Sequence, residues 1–322
     1  MGKWNLPPKG DMDKASGIYF QNMTQKDLEE RRKKNDVIII PIGATETHGP
    51  GEPLGEDTFM VTRMAEEVAR VTGCTVSQPL WWGSHPYHHL GMPGTVVIPE
   101  DTFVNMLRAI IAGYWNAGFR KQILINGHGQ EWVIPTAMHS FAKKYQVPAV
   151  LIMLHWWHAA GVHAFDKRFG GPFDTPLVHG CEVECSYTKA LCPEMVKNED
   201  LIDVEVKPKY IKGNHFNLPG EPMPNPIRYW AHVGCLGSEI AIYPEGSLGP
   251  STQSSPEKAR AGVEAVLNYL ESLVNDILEA FPPGKLPPVE EFTHKDNPEY
   301  RAVLQEPGTP GWKNLYTLGW PV

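Results

Sequence analysis

Val37-Ile38-Ile39-Ile40-Pro41-Ile42 is an apolar, mostly β-branched run with no alternating polar positions, and it ends on Gly43. A strand with one wet face alternates; a continuous apolar run predicts a strand covered on both faces. Gln122 to Asn126 and Ala149 to Leu154 carry the same signature, and Thr75 to Leu80 reads as a further strand. Between these runs the apolar period lengthens to that of a helix. Met60, Met64 and Val68 share one face of a helix predicted from about Thr58 to Arg70. Leu107, Ile110 and Ile111 do the same for a helix capped at Asp101 or Thr102 and ending near Trp115, and another spans roughly Ile134 to Tyr145. Upstream of Val37, Thr24 with Asp27 three positions later marks a short capped helix. Near the other end, Ser255-Pro256-Glu257 supplies a cap and first turn for a long helix running to about Ala280. Strands alternating with helices predict an α/β fold whose parallel sheet has helices on both faces. Ligands of such sheets bind beyond the C-terminal ends of the strands.

The second half is less regular: glycines and prolines break up Gly170 to Pro176, and Lys207 to Pro226 is loop-rich. Neither a repeat nor a linker divides the chain, so residues 1–281 read as one domain. Residues 282–322, with Trp312, Tyr316 and Trp320, read as a proline-rich arm packed on the body or on a neighbouring subunit. An apolar share of 42% and a charged share of 20% suit a globular chain with a large core. The net charge of −8 without a basic block argues against nucleic acid. No apolar run reaches the ~18 residues of a membrane span. The polar segment Met1 to Asp13 has no signal-peptide core, so a cytosolic location is expected. Five cysteines are too few for a disulfide framework. Cys74 and Cys235 read as core residues. Cys181 and Cys185 are four apart on a helix, but no second pair accompanies them, so buried thiols are favoured over a zinc site.

Thirteen histidines change the picture only because of where they fall. Glu46 and His48 follow the first strand two positions apart, so an extended chain points both to one side. Asp57 opens the next helix, where it could equally be a cap. His128 sits between glycines directly after the Gln122–Asn126 strand. His179-Gly180-Cys181-Glu182-Val183-Glu184 leads into a later helix, whose dipole would also favour these glutamates as mere first-turn charges. Imidazoles and carboxylates converging from separate strand ends suit zinc, manganese or iron. Trp81-Trp82, His85 to His89 and Trp156-Trp157-His158 supply aromatic walls near the same ends. A separate metal site among those histidines is the less favoured reading.

Glu46-Thr47-His48-Gly49-Pro50 through Pro53-Leu54-Gly55 and Asp57-Thr58 resembles the signature of the creatininase (creatinine amidohydrolase) family. Pro93-Gly94-Thr95, Asn126-Gly127-His128-Gly129, His179 to Ser186, and Glu245-Gly246 with Gly249-Pro250 extend the likeness, in order, over about residues 20 to 275. The resemblance implies a three-layer α/β/α sandwich with a mostly parallel sheet and two divalent metal ions (zinc, manganese or iron). Positions matching Glu46, Asp57 and His128 would hold one ion; His48, the bridging Asp57 and one further carboxylate would hold the other. A water shared by the ions would be the nucleophile, and His179 would match the acid–base histidine that protonates the leaving group. Creatininase has a glutamate as last ligand where this chain has Gln130. Many relatives that lack it carry a glutamate three residues after the later histidine, so the resemblance implies Glu182 as that ligand, with Glu131 and Glu184 as less favoured substitutes. Gly51-Glu52 and Glu56 also depart from the pattern, adding negative charge and suggesting a polar, hydroxyl-rich substrate.

One branch shares the longer N-terminus, the Gly83-to-His89 segment and the aromatic C-terminal arm, and resembles keto-inositol (3-dehydro-scyllo-inosose) hydrolases. The resemblance thus implies a metal-dependent hydrolase that opens a small polar cyclic substrate at a C–C bond. Cleavage of a cyclic or small amide at C–N is the alternative. His89, Ser84, Gln130 and Trp157 are the expected substrate contacts, and a homo-oligomer, a hexamer by analogy, is the expected assembly. A non-catalytic metal-stabilised binding protein is the competing class. A dinucleotide-binding oxidoreductase fails for want of a glycine-rich phosphate turn after the first strand.

Overall fold

The computed structural model describes residues 17–86, 89–145, 147–205, 215–217, 225–228 and 244–288. The apolar runs form one parallel sheet: β1 (Val37–Ile42), β2 (Thr75–Val76), β3 (Lys121–Asn126) and β4 (Val150–His155), in the order β2-β1-β3-β4. The register of β1 against β3 runs from Val37 opposite Lys121 to Ile42 opposite Asn126, and Asn126 in turn faces His155. The three C-terminal strand ends are therefore level. Among the described residues the α-helices are α1 (Gln25–Lys34), α2 (Glu56–Thr72), α3 (Glu100–Asn116), α4 (Val133–Tyr145), α5 (Trp156–Ala160), α6 (Glu182–Leu191) and α7 (Pro256–Ala280).

Alternate residues of β1 enter opposite cores. Val37 and Ile39 pack with Met60, Met64 and Val68 of α2 and Leu270 and Val274 of α7. Ile40 and Ile42 pack with Phe103, Leu107 and Ile111 of α3 and Ile134 and Phe141 of α4. Each such side chain contributes about 1.5–3 kcal/mol on burial, which is why the strands are apolar throughout. The result is the expected α/β/α sandwich. Among the described residues no helix is long and apolar enough to cross a membrane.

Local expectations held where side chains close the helix ends. Thr24 and Asp27 form a reciprocal capping box on α1, and Ser255 Oγ accepts the Glu257 N–H ahead of α7. Three boundaries differ. β2 stops at Val76, and Leu80 rejoins the sheet by a single bridge to Ile42 after Pro79, which has no N–H to give a ladder. α3 starts at Glu100 behind Pro99, not at an Asp101 or Thr102 cap. α2 starts at Glu56 behind Gly55, so Asp57 lies within its first turn and is buried.

At the opposite end of the sheet, buried Lys121 donates to Asp36 at 2.7 Å and to the Pro282 carbonyl at 3.0 Å, and the Gly284 N–H donates to Asp36. The chain leaving α7 is thus tied beneath the strands. Residues 289–322, including Trp312, Tyr316 and Trp320, lie outside the described residues, as do His88, Cys235 and most of 207–226.

Two glycines let α2 approach the strand ends. A Cβ on Gly43 would overlap the Thr58 backbone, and one on Gly127 would overlap the Asp57 carbonyl. Gly127→Ala should therefore push Asp57 away from β3 and cost about 1–3 kcal/mol of stability by overpacking. Thermal unfolding together with metal content checks this; an unshifted melt with full metal content would show that the close approach is not needed.

Candidate metal centre

The level ends of β1 and β3 turn directly into the residues that carry the chemistry. Glu46 and His48 follow β1, His128 follows β3, and Asp57 rises from the first turn of α2 between them; all four are buried. Glu46 Oε1 lies 2.7 Å from His128 Nδ1, which is also 3.2 Å from Asp57 Oδ2. The other Asp57 oxygen, Oδ1, is 3.5 Å from His48 Nε2. One carboxylate therefore reaches both histidines, each with its own oxygen.

Backbone carbonyls fix the imidazoles, because a carbonyl can only accept. His48 Nδ1 donates to the Glu46 carbonyl at 3.3 Å, which turns Nε2 toward the carboxylates. His179 Nε2 donates to the Thr47 carbonyl at 2.7 Å, which turns its Nδ1 toward Glu46 Oε1 at 3.9 Å. Gly180 makes this possible: its φ is +52°, and a Cβ there would press on the His48 backbone.

The charges oppose their surroundings strongly. Burial works against ionised Glu46, yet His128, His89 and His179 outweigh it and hold its carboxyl well below the usual range. Burial also disfavours a charged His48, but Glu56, Asp57 and Glu46 push its pKa well above the ordinary value. The same contest takes His128 up to about 9, with Glu46 and Asp57 outweighing burial. Below that pH a proton on His128 stabilises the ion-free fold, fully so below the ordinary 6.5, and that stabilisation is lost as pH rises through about 9.

The donor set fits divalent cations. Carboxylates and neutral-capable imidazoles converge in a buried place, and His48 Nε2 has no hydrogen-bond partner among the described residues. A cation would take the place of the His128 proton. Metal affinity should therefore fall about tenfold for each pH unit below about 9 per proton displaced. Chelator competition between about pH 6 and pH 9 measures this slope, and a flat profile would rule the exchange out.

The expected sixth contact is not where the sequence reading put it. Glu182 is buried but turned away, ion-paired with Lys258 of α7 and accepting from Thr175 Oγ1 at 3.0 Å. Glu184 instead lines the cavity beside Glu46, Asp57, His89, Trp157 and His179, with one oxygen accepting the Gly180 N–H at 2.6 Å. Residues two apart on a helix point to nearly opposite sides, so only one of the pair can reach the strand ends. Burial, with Glu56 and Asp57 adding to it against His48, raises the Glu184 carboxyl well above its usual range. Glu131 is occupied by Arg228 at 3.3 Å.

Of the expected substrate contacts, His89 and Trp157 line the cavity. Gln130 does not. Its amide accepts the Ser84 N–H at 2.9 Å and donates to the Gly43 carbonyl and Asn126 Oδ1, so it ties three strand-end turns together. Ser84 belongs to that brace and is not among the cavity-lining residues. Glu52 and Glu56 are buried beside Cys185 and Thr188, and Glu56 Oε2 lies 4.0 Å from His48 Nδ1. Cys181 and Cys185 are separate buried thiols: Cys181 Sγ accepts from the Val178 N–H and Cys185 Sγ from Ser254 Oγ. His85, expected only as part of an aromatic wall, lies with its Nδ1 3.2 Å from Glu46 Oε2. Its place in the Gly83-to-His89 segment was the available signal.

Residues 21–274 match the creatininase (creatinine amidohydrolase) family, and the chain belongs to it. It is 53% identical over 308 residues to the 3-dehydro-scyllo-inosose hydrolase of Thermotoga maritima, covering 96% of this chain and 99% of that relative. To the creatinine amidohydrolase of Pseudomonas putida it is 24% identical over 201 residues, covering 59% and 77%. A crystal structure of creatinine amidohydrolase matches the fold with a TM-score of 0.66 at 20% identity, covering 83% of this chain and 99% of that one. Solved creatininase structures include manganese and zinc forms.

Proposed function

We propose that this chain is a metal-dependent hydrolase that opens the ring of a keto-inositol of the 3-dehydro-scyllo-inosose type at a C–C bond. The observation that carries the substrate assignment is the 53% identity to a hydrolase of that name along essentially the whole chain. The buried Glu46, His48, Asp57 and His128 cluster supports the metal dependence, with Glu184 in place of Glu182 as the last carboxylate. Two divalent ions held there would polarise a ketone and bring a water's pKa toward neutrality.

The side chains divide the remaining work. A dehydro-inosose carries two ring ketones, so water adds at one and the adjacent C–C bond breaks toward carbon whose charge the other holds as an enolate. That carbon needs a proton. His179, turned by the Thr47 carbonyl so that Nδ1 faces the cluster, is placed to deliver it. Trp157, Leu177 and Val178 form an apolar wall for the ring face, and the buried Trp157 indole N–H has no hydrogen-bond partner among the described residues. Trp157 is itself held in a parallel stack on His155, 4.6 Å between ring centres, and His155 Nδ1 lies 2.9 Å from Asn126 Nδ2.

The test is turnover of 3-dehydro-scyllo-inosose by metal-loaded protein, with creatinine in parallel. Ring opening of the inosose to a carboxylate, abolished by chelation, is expected. Turnover of creatinine alone would transfer the assignment to C–N cleavage, and turnover of neither by protein holding two ions would retire both.

A further inference from the structure

Glu46 has a second oxygen that the two-ion arrangement leaves out, and two buried histidines face it. Oε2 is 2.8 Å from His89 Nδ1 and 3.2 Å from His85 Nδ1, while Oε1 is turned to His128. The four side chains are between 1% and 3% exposed, and one ligand atom from each lies within 4.8 Å of all the others. His85 and His128 are 4.5 Å apart between ring centres, and His89 and His128 are 5.7 Å apart.

Both nitrogens of the His85 ring face oxygens that can only accept: Nε2 lies 3.2 Å from the Val96 carbonyl and Nδ1 3.2 Å from Glu46 Oε2. A neutral ring has one hydrogen to give, so one of the two contacts sets a lone pair against an oxygen. A cation bound by Nδ1 and the carboxylate removes that conflict and leaves the hydrogen for the Val96 carbonyl. The backbone holds His85 there rather than letting it swing away. The Ser84 N–H is taken by Gln130, the Gly83 carbonyl by the Ile98 N–H, and the Val96 N–H by the Thr45 carbonyl.

We propose that His85 and His89 join Glu46 and His128 around one divalent ion, giving this chain an imidazole-rich metal position beside the Asp57–His48 position. The inference rests on the metal-dependent reading above and goes beyond it by adding two ligands from the Gly83-to-His89 segment. Three imidazoles beside the carboxylates of Glu46 and the bridging Asp57 favour zinc, iron or cobalt over magnesium or calcium, which prefer all-oxygen sites. The segment that carries His85 would then tune the metal directly.

Cobalt(II) makes the test direct. Protein stripped by a chelator and reloaded with Co2+ is compared with His85→Ala, His85→Gln and His89→Ala by visible absorption and by competition with a chromophoric chelator. His85→Gln keeps a donor for the Val96 carbonyl, so it preserves the loop if alanine does not. Loss of a partner that only touches a ligand costs about 10–100-fold in affinity. Loss of a ligand should cost more than about 100-fold at one ion and little at the other, with a changed d–d spectrum for that ion alone. Free imidazole added to His85→Gly should restore the spectrum. Unchanged spectra, with both ions held as in wild type, would overturn the proposal and leave the hydrolase reading standing. Wild-type protein that takes up no Co2+ would overturn both.

Discussion

Asp57→Asn should lose both metal ions and lower turnover by at least about 10³-fold, equivalent to roughly 4 kcal/mol of transition-state stabilisation. The reason is geometric. Asp57 Oδ2 is 3.2 Å from His128 Nδ1 and Oδ1 is 3.5 Å from His48 Nε2, so its two oxygens serve the two halves of the site. An amide in its place offers one neutral oxygen and turns an N–H toward an imidazole that must present a lone pair. The negative charge that holds His128 and His48 also weakens. Elemental analysis of the purified variant, beside circular dichroism to confirm the fold, checks this. Two retained ions with activity near wild type would remove Asp57 from the bridging role.

The second large effect separates two glutamates of which the sequence favoured Glu182. Glu184→Gln should cost one ion and about 10²–10³-fold in turnover, the scale of losing one preorganised electrostatic contact. Glu182→Gln should keep both ions and act on stability instead. It breaks the pair with Lys258 that joins the first turn of α6 to α7, and Lys258 is partly exposed, so about 1–3 kcal/mol is expected. Metal content and melting temperature measured on both variants decide it. The reverse pattern, with the ion lost in Glu182→Gln and the melt shifted in Glu184→Gln, would restore the original assignment.

This pair shows where sequence reasoning stops. Both glutamates fall in the first turn of a helix after a histidine, and both are buried. Their difference is the direction of a helix face relative to strand ends more than 50 residues earlier in the chain. That direction is set by the packing of α6 on α2 and α7. Gln130 is a similar case. A polar residue two positions past His128 reads as a pocket residue, but only the converging turns at Gly43, Ser84 and Asn126 give its amide three partners.

By itself the sequence determined the layers and the reacting end of the sheet. Continuous β-branched runs can be stable only between two apolar surfaces, and their period and that of the helices are local properties of neighbouring residues. Glu46, His48, Asp57 and His128 were legible because each follows or opens such an element, and parallel topology carries all of these to one edge. Tertiary structure alone decided which of the remaining polar residues reach that edge. It turned Glu184 in and Glu182 out, used Gln130 as a brace, and brought His85 beside His89 onto Glu46 Oε2. Those outcomes depend on distances across the sheet and on backbone hydrogen bonds between distant turns, which no local spacing encodes.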